Sequence, residues 1–127
     1  DPEEAAQFAR ETGVDAMAIS VGNLHLQTES GAQLDEGRLR AIENVTDLPL
    51  VIHGGSGVPM AQRTALARTS NICKVNIGTE LRMAFGAALR WAVDADPTEF
   101  DRVQILKQTH DPVMVATRRV LAAMKPG

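Results

Sequence analysis

The chain has 127 residues, a length that fits one ordinary domain rather than two. With 44% apolar and 23% charged residues it has the composition of a folded, soluble chain and not of a disordered one. A net charge of −3 and 3% aromatic residues argue against a nucleic-acid partner. Neither a bilayer-spanning apolar run nor a signal peptide is recognisable, so we expect no membrane association and a cytoplasmic protein.

The sequence pattern predicts helices and strands in alternation. The first helix begins at an N-cap, Asp1, followed by Pro2, and ends at Gly13. The predicted helices cover 1–12, 35–46, 59–69, 79–94 and 111–124, and the predicted strands cover 16–21, 49–52 and 72–77. The side chains expected to face inward are Ala5, Phe8, Ala9, Thr12, Leu39, Ile42, Val45, Leu81, Ala84, Phe85, Ala88, Leu89, Ala92, Val113, Val120, Leu121 and Met124.

Strands alternating with helices predict a parallel α/β fold, and the nearly continuous apolar run 16–21 predicts a first strand covered on both faces. Three strands complete neither a doubly wound sheet nor a (β/α)8 barrel, which needs about 250 residues. We therefore interpret residues 1–127 as one segment of a longer domain. Its outer strands would leave unpaired edges, which favours association with itself or with a complementary chain.

Two histidines follow the first two predicted strands, His25 in the stretch after residue 21 and His53 directly after residue 52. Because parallel strands end at the same edge of a sheet, the two imidazoles can converge on one zinc ion. The alternative from spacing alone is a pair of solvated loop histidines, or one that hydrogen-bonds a backbone carbonyl. A third histidine, His110, precedes a helix and is expected to be exposed or to cap it.

The most informative segment is the glycine-rich stretch that follows His53. Gly54, Gly55 and Ser56 stand between a strand and a helix, where backbone N–H groups can point at an anion without obstruction by a Cβ atom. The N-terminus of the next helix adds its dipole. The pattern predicts a phosphate site, and the alternative is a tight turn with no ligand.

A second set of hydrogen-bond donors follows the third strand, at Asn76, Ile77, Gly78 and Thr79. Strand alternation places Lys74 on the same face as Asn76, where its ammonium group needs a carboxylate partner or solvent. Cys73 would then be a small buried residue on the opposite face.

In order along the chain, the segments DPEEA, TGVDA, VGNLH, LVIHGGSGVP and KVNIGTELR resemble the class II fructose-bisphosphate and tagatose-bisphosphate aldolases. The resemblance implies the C-terminal part of a (β/α)8 barrel that lacks its N-terminal strands. It implies a zinc-dependent lyase of carbohydrate metabolism that cleaves a ketose bisphosphate reversibly to dihydroxyacetone phosphate and an aldehyde.

The same resemblance assigns roles to individual positions. His25 and His53 resemble two zinc ligands of the family. The residues that resemble its phosphate and hydroxyl site are Gly54, Gly55, Ser56, Asn76, Ile77, Gly78 and Thr79. Leu26 departs from the family, which has glycine there, and the segment 27–32 differs as well.

The family's third zinc-binding histidine and its catalytic aspartate lie on an earlier strand that these residues do not include. We therefore expect weak zinc binding and no aldolase activity from residues 1–127 alone. The alternatives are a metal-independent sugar-phosphate isomerase or epimerase barrel and a non-catalytic fragment or pseudoenzyme.

Overall fold

The computed structural model describes residues 1–23, 31 and 33–124. Within them the chain alternates helices and strands as the sequence predicts, with one additional short helix. The strands are β1 (Met17–Ile19), β2 (Leu50–Ile52) and β3 (Ile72–Val75). The helices are α1 (Pro2–Thr12), α2 (Glu36–Glu43), α3 (Met60–Thr69), α4 (Thr79–Ala95), α5 (Arg102–Lys107) and α6 (His110–Ala123).

The three strands form a parallel sheet in the order β1-β2-β3. Residues that are paired across the sheet share a face, so Ile19, Ile52 and Val75 form one row. On the other face, Ala18 lies beside Val51, which in turn lies beside Lys74. The parallel α/β prediction is confirmed, and every predicted strand is present in a shorter form.

The core fills the space between one face of the sheet and the first three helices. Its buried members are Met17, Ile19, Val21, Leu34, Leu39, Ile42, Leu50, Ile52, Val58, Leu66 and Ile72. The prediction that β1 is covered on both faces is wrong, because Ala18 and Ser20 are exposed while Met17 and Ile19 are buried. Only the face that carries Met17 and Ile19 packs against helices.

Local capping explains where the first helices begin and end. The Asp1 carboxylate accepts hydrogen bonds from the backbone N–H groups of Glu3 and Glu4, and Gly13 closes α1 at a φ of 62°. Asp35 caps α2 by accepting from the N–H of Arg38 at 2.8 Å. Both predicted N-termini are confirmed.

Three of the inward positions predicted for the first two helices are wrong. Phe8 and Thr12 are exposed, and Ala6 is the buried residue of α1. α2 ends at Glu43, and Val45 beyond it is exposed. In both cases the apolar stripe is too narrow for its side chains to be assigned to a face by spacing alone.

Cys73 is exposed, so the prediction of a buried thiol is wrong. The pairing register between β2 and β3 shifts here: Ile72 pairs with Leu50, and Lys74 pairs with Val51. The extra residue interrupts simple alternation, so Cys73 and Lys74 are both exposed. The thiol donates a hydrogen bond to the carbonyl oxygen of Leu50 at 3.4 Å.

The last three helices pack mainly on one another, α4 against α5 and α6. Their buried residues are Ala88, Ala92, Thr109 and Val120. Phe85 and Leu121, predicted to face inward, are exposed. α5 was not predicted, because a helix of 6 residues offers little periodicity, although Asp101 caps it by accepting from Val103 N–H at 2.8 Å. No helix of the described residues is long and apolar enough to cross a membrane.

Candidate functional site

Side-chain hydrogen bonds join the carboxyl ends of all three strands. Asn23, four residues beyond β1, donates from Nδ2 to the carbonyl oxygen of His53 at 3.0 Å. Asn76, directly after β3, places its Nδ2 atom 3.2 Å from Nδ1 and 3.3 Å from Nε2 of the His53 ring. His53, directly after β2, therefore lies between the two neighbouring strand ends, as the sequence predicts.

Asn76 fixes the position of the His53 imidazole. The backbone N–H of Asn76 donates to the carbonyl oxygen of Ile52 at 2.8 Å and extends the β2–β3 ladder by one residue. Its side-chain amide can then donate to the nitrogen of the half-buried ring that lacks a proton. A neutral imidazole with one nitrogen so occupied keeps its other nitrogen as an N–H group, and a proton shift exchanges the two roles.

Asn23 is a site residue that the sequence reasoning did not single out. It is buried, and its Oδ1 atom accepts from the N–H of Val21 at 2.7 Å. Its Nδ2 atom also lies 3.4 Å from the carbonyl oxygen of Ile19. Because one amide satisfies backbone groups of two strands, the segment that carries His25 leaves the sheet directly beside His53.

The glycine-rich segment lies against the end of β3. Gly54 has a φ of 62°, and residues Gly55–Gly57 form a single 3-10 turn. The N–H of Gly55 donates to the carbonyl oxygen of Asn76 at 3.0 Å, and a Cβ atom at Gly55 would collide with Cγ1 of Val75. Only glycine allows this close approach of the two strand ends.

Ser56 connects this turn to the start of α4. Its Oγ atom accepts hydrogen bonds from the N–H groups of Gly78 and Glu80, each at 3.2 Å. These N–H groups belong to the N-terminus of a 17-residue helix, where the positive end of the dipole favours an anion. The two predicted groups of phosphate ligands, 54–56 and 76–79, therefore lie together.

An ion pair between α3 and the first turn of α4 was not predicted from the sequence. Arg63 in α3 is buried, and its Nη2 atom lies 3.1 Å from Oε2 of Glu80 in the first turn of α4. In the sequence, Glu80 is interpreted as the acidic residue that the first turn of a helix favours, and Arg63 has no predicted partner. The pair joins positions 17 residues apart in different helices, so no local pattern could have shown it.

His25 and Leu26 lie outside the described residues, and the structure tests neither. The described ends of the segment between β1 and α2 are held in place. The N–H of Asp35 donates to the carbonyl oxygen of Val21 at 2.8 Å, and that of Gly31 donates to the carbonyl oxygen of Gly57 at 3.1 Å. Asp35 is thus attached to the end of β1, and Gly31 to the glycine-rich turn.

The remaining candidates lie outside this constellation. Lys74 is exposed on the sheet, and His110 is the first residue of α6, where its Nδ1 atom lies 2.9 Å from Oδ1 of Asp111. Among residues 1–23, 31 and 33–124, no group of three or more His, Cys, Asp or Glu side chains is arranged to hold a metal ion. A zinc site would therefore need His25 and groups beyond those described.

Comparison with known proteins agrees with this arrangement. The class II fructose-bisphosphate aldolase family model matches residues 1–125, and the chain belongs to that family. Among solved structures, the YdjI aldolase of Escherichia coli K12 superposes with a TM-score of 0.71 at 28% sequence identity, over 95% of this chain and 43% of that one. The fructose-bisphosphate aldolase of Campylobacter jejuni gives a TM-score of 0.66 at 20% identity, over 96% of this chain and 43% of that one.

The chain thus spans less than half the length of the aldolases it matches. Its three parallel strands and their helices correspond to part of a TIM barrel, as the sequence resemblance implied. In such barrels the carboxyl ends of the strands carry the chemistry, which is the edge where His53 and Asn76 meet.

Proposed function

We propose that this chain is the C-terminal part of a zinc-dependent ketose-bisphosphate aldolase, which cleaves its substrate reversibly to dihydroxyacetone phosphate and an aldehyde. The observation that carries the proposal is the convergence of His53, Asn76 and the Ser56–Gly78 junction at one edge of the sheet. This edge combines a possible metal ligand with a set of anion-binding N–H groups. Membership of the class II aldolase family supports the same reaction.

His53 and His25 would be two of the zinc ligands. The chemistry of the donors fits, since imidazole nitrogen is a common zinc ligand. With zinc on one nitrogen of His53 the other would carry a proton, so the Asn76 amide, whose Nδ2 atom faces the ring here, would have to turn its oxygen towards that N–H group. A third ligand and the general base would come from the part of the barrel that lies outside this chain. Zinc bound there would supply Lewis-acid polarisation of the ketone oxygen.

The chain's own residues would bind and orient the phosphate end of the substrate. The backbone N–H groups of Gly54, Ile77 and Thr79 would donate to the phosphate. The N–H groups of Gly55 and Gly78 already donate to the Asn76 carbonyl oxygen and to Ser56 Oγ, and they would hold the two sides of the site together. The Ser56 hydroxyl now accepts from Gly78 and Glu80, and it could rotate to donate to a phosphate oxygen. Binding the phosphate there would place the adjoining carbons towards His53.

The remaining proposals concern organisation and location. Residues 1–127 would form one segment of a single barrel domain in a cytoplasmic enzyme of sugar metabolism. β1 and β3 each pair on one side only within the described sheet, so their outer edges are available to further strands of the barrel or to a second copy.

Zinc titration of this chain by calorimetry tests the metal site. We expect weak binding that His53→Ala abolishes, while His110→Ala, which alters an exposed histidine in α6, leaves it unchanged. Equal zinc affinity in the wild type and in His53→Ala would contradict the assignment.

A coupled assay for dihydroxyacetone phosphate tests the reaction. We expect no turnover by residues 1–127 alone and EDTA-sensitive turnover by a protein that also supplies the missing strands. Turnover that survives EDTA would instead support the metal-independent isomerase or epimerase alternative, once the product is identified.

A further inference from the structure

A buried ion pair links the helices that begin at the two halves of the proposed phosphate site. Arg63 lies in α3, which follows the glycine-rich turn, and its side chain is 6% exposed. Glu80 lies in the first turn of α4, which follows the β3 end, and its side chain is 27% exposed. Since a buried guanidinium group requires an anionic partner, each helix start is held against the other.

Glu80 places a hydrogen-bond donor and a negative charge in the same turn of α4. Its backbone N–H donates to Ser56 Oγ, the hydroxyl that could instead donate to a phosphate oxygen. Its side chain carries a negative charge in the same turn. An unpaired carboxylate so close to a phosphate dianion would repel it and weaken binding.

Arg63 removes this conflict because its Nη2 atom binds the carboxylate at 3.1 Å. We propose that Arg63 is a positioning residue that neutralises Glu80 and holds its carboxylate away from the phosphate of a phosphorylated sugar. The inference rests on the proposed function, since it concerns the phosphate end of that same site.

The geometry of Arg63 supports a role beyond stability. Its Nε atom is buried and has no hydrogen-bond partner among the residues that the structure describes. Burial of an unsatisfied N–H group costs free energy, and well-packed apolar residues often replace buried ion pairs without loss of stability. A buried pair of this kind is therefore weak evidence of a stabilising role, so we assign it the electrostatic one.

Binding of inorganic phosphate to the 127-residue chain, followed by 31P NMR, tests the inference in four variants. Arg63→Met keeps the length of the side chain and leaves Glu80 unpaired, and we expect it to weaken phosphate binding by about tenfold. Adding Glu80→Gln to Arg63→Met should return the affinity to within about twofold of the wild type, because no charge remains to repel the ligand. Glu80→Gln alone should bind phosphate at least as well as the wild type, and Arg63→Lys should retain most of the affinity.

A purely structural role gives a different pattern. The double variant would then bind phosphate as weakly as Arg63→Met, and this result would overturn the inference. Unchanged binding in Arg63→Met would overturn it as well. If Arg63→Met does not fold, the folded double variant decides, because the inference requires it to bind phosphate within about twofold of the wild type.

Failure of the proposed function looks different from failure of this inference. If the wild-type chain binds no phosphate, the proposed phosphate site is wrong and the inference falls with it. If the wild type binds phosphate and Arg63→Met binds it equally well, only the inference falls. Zinc affinity should be the same in the wild type and in Arg63→Met, since the pair lies behind the phosphate site and not at His53.

Discussion

The region that contains the sheet and the region of the last three helices are built differently. The core cluster of the described residues runs from β1 to β3 with the first three helices, and none of its members comes from α4, α5 or α6. The last three helices bury small side chains such as Ala88 and Ala92. They expose large ones, with Trp91 and Val115 each 63% accessible.

The difference shows where the stability of the chain lies. The sheet region buries branched apolar side chains on one face, while the helical region gains little from burial of its large apolar groups. Contacts between the two regions include the Ser56 hydrogen bonds to the start of α4, the Arg63–Glu80 pair, and a bond from Thr64 Oγ1 to the carbonyl oxygen of Ala123 at 2.7 Å. The proposed phosphate site is therefore part of the joint between the two regions.

The largest difference in stability between variants of the two regions should come from replacing one leucine in each region with alanine. Leu39→Ala removes a fully buried side chain from the core, and we expect a loss of about 2–5 kcal/mol in the free energy of unfolding. Leu121→Ala removes an exposed side chain of α6 and should change it by less than about 0.5 kcal/mol. Urea unfolding followed by circular dichroism measures both, and equal losses would show that the helical region has a core of its own.

A methyl group at Gly55 tests the close approach of the glycine-rich turn to β3. Gly55→Ala would place its Cβ atom against Val75, and we expect about 1–3 kcal/mol of destabilisation together with weaker phosphate binding. Gly31→Ala is the matched control, because no heavy atom lies within 4 Å of its added Cβ atom. Thermal unfolding that is equally affected in both variants would contradict the packing argument.

Loss of the Ser56 hydroxyl should weaken the contact between the sheet region and the helical region without disrupting the packing inside either one. Ser56→Ala removes the acceptor for the N–H groups of Gly78 and Glu80, and we expect a loss of about 1 kcal/mol, typical of an N-cap. Hydrogen exchange should accelerate in the first turn of α4 more than in β2. Ser20→Ala, at an exposed position on the sheet, serves as the control, and uniform acceleration throughout the chain would argue against a local joint.

The smallest effect concerns the carboxylate that follows α4. The side-chain hydroxyl and then the backbone N–H of Thr98 donate to Asp96, and these bonds lower its pKa from the usual value of an aspartate. A lowered pKa in the folded state stabilises the fold above the ordinary pKa and loses that contribution as the pH falls through the lowered one. Asp96→Ala should therefore reduce stability slightly at pH 7, and the difference from the wild type should shrink as the pH falls below the ordinary pKa of an aspartate. A difference that stays constant as the pH falls would exclude this cause.

The sequence predicted those parts of the fold that depend on local signals. Asp1 and Asp35 marked the helix starts, and the short apolar runs marked the strands. The meeting of His53 with Asn76 was also predictable, because parallel strands present their carboxyl ends at one edge. The role of His25 stays a prediction, as does zinc binding.

Other features could not be predicted from the sequence, because they depend on contacts between residues that lie far apart along the chain. The Arg63–Glu80 pair and the bond from Asn23 to His53 join separate elements. The exposure of Cys73 follows from a register shift that no periodicity of the sequence indicates. α5 is too short to show a period.

Asp35 caps α2 with its side chain, and its backbone N–H donates to the carbonyl oxygen of Val21. It therefore holds together the two ends of the segment that begins at Gly22. Gly22, with a φ of 94°, is the first residue of that segment. Because the residues that flank this segment are hydrogen-bonded to each other, changes in its length or sequence should put little strain on the three strands.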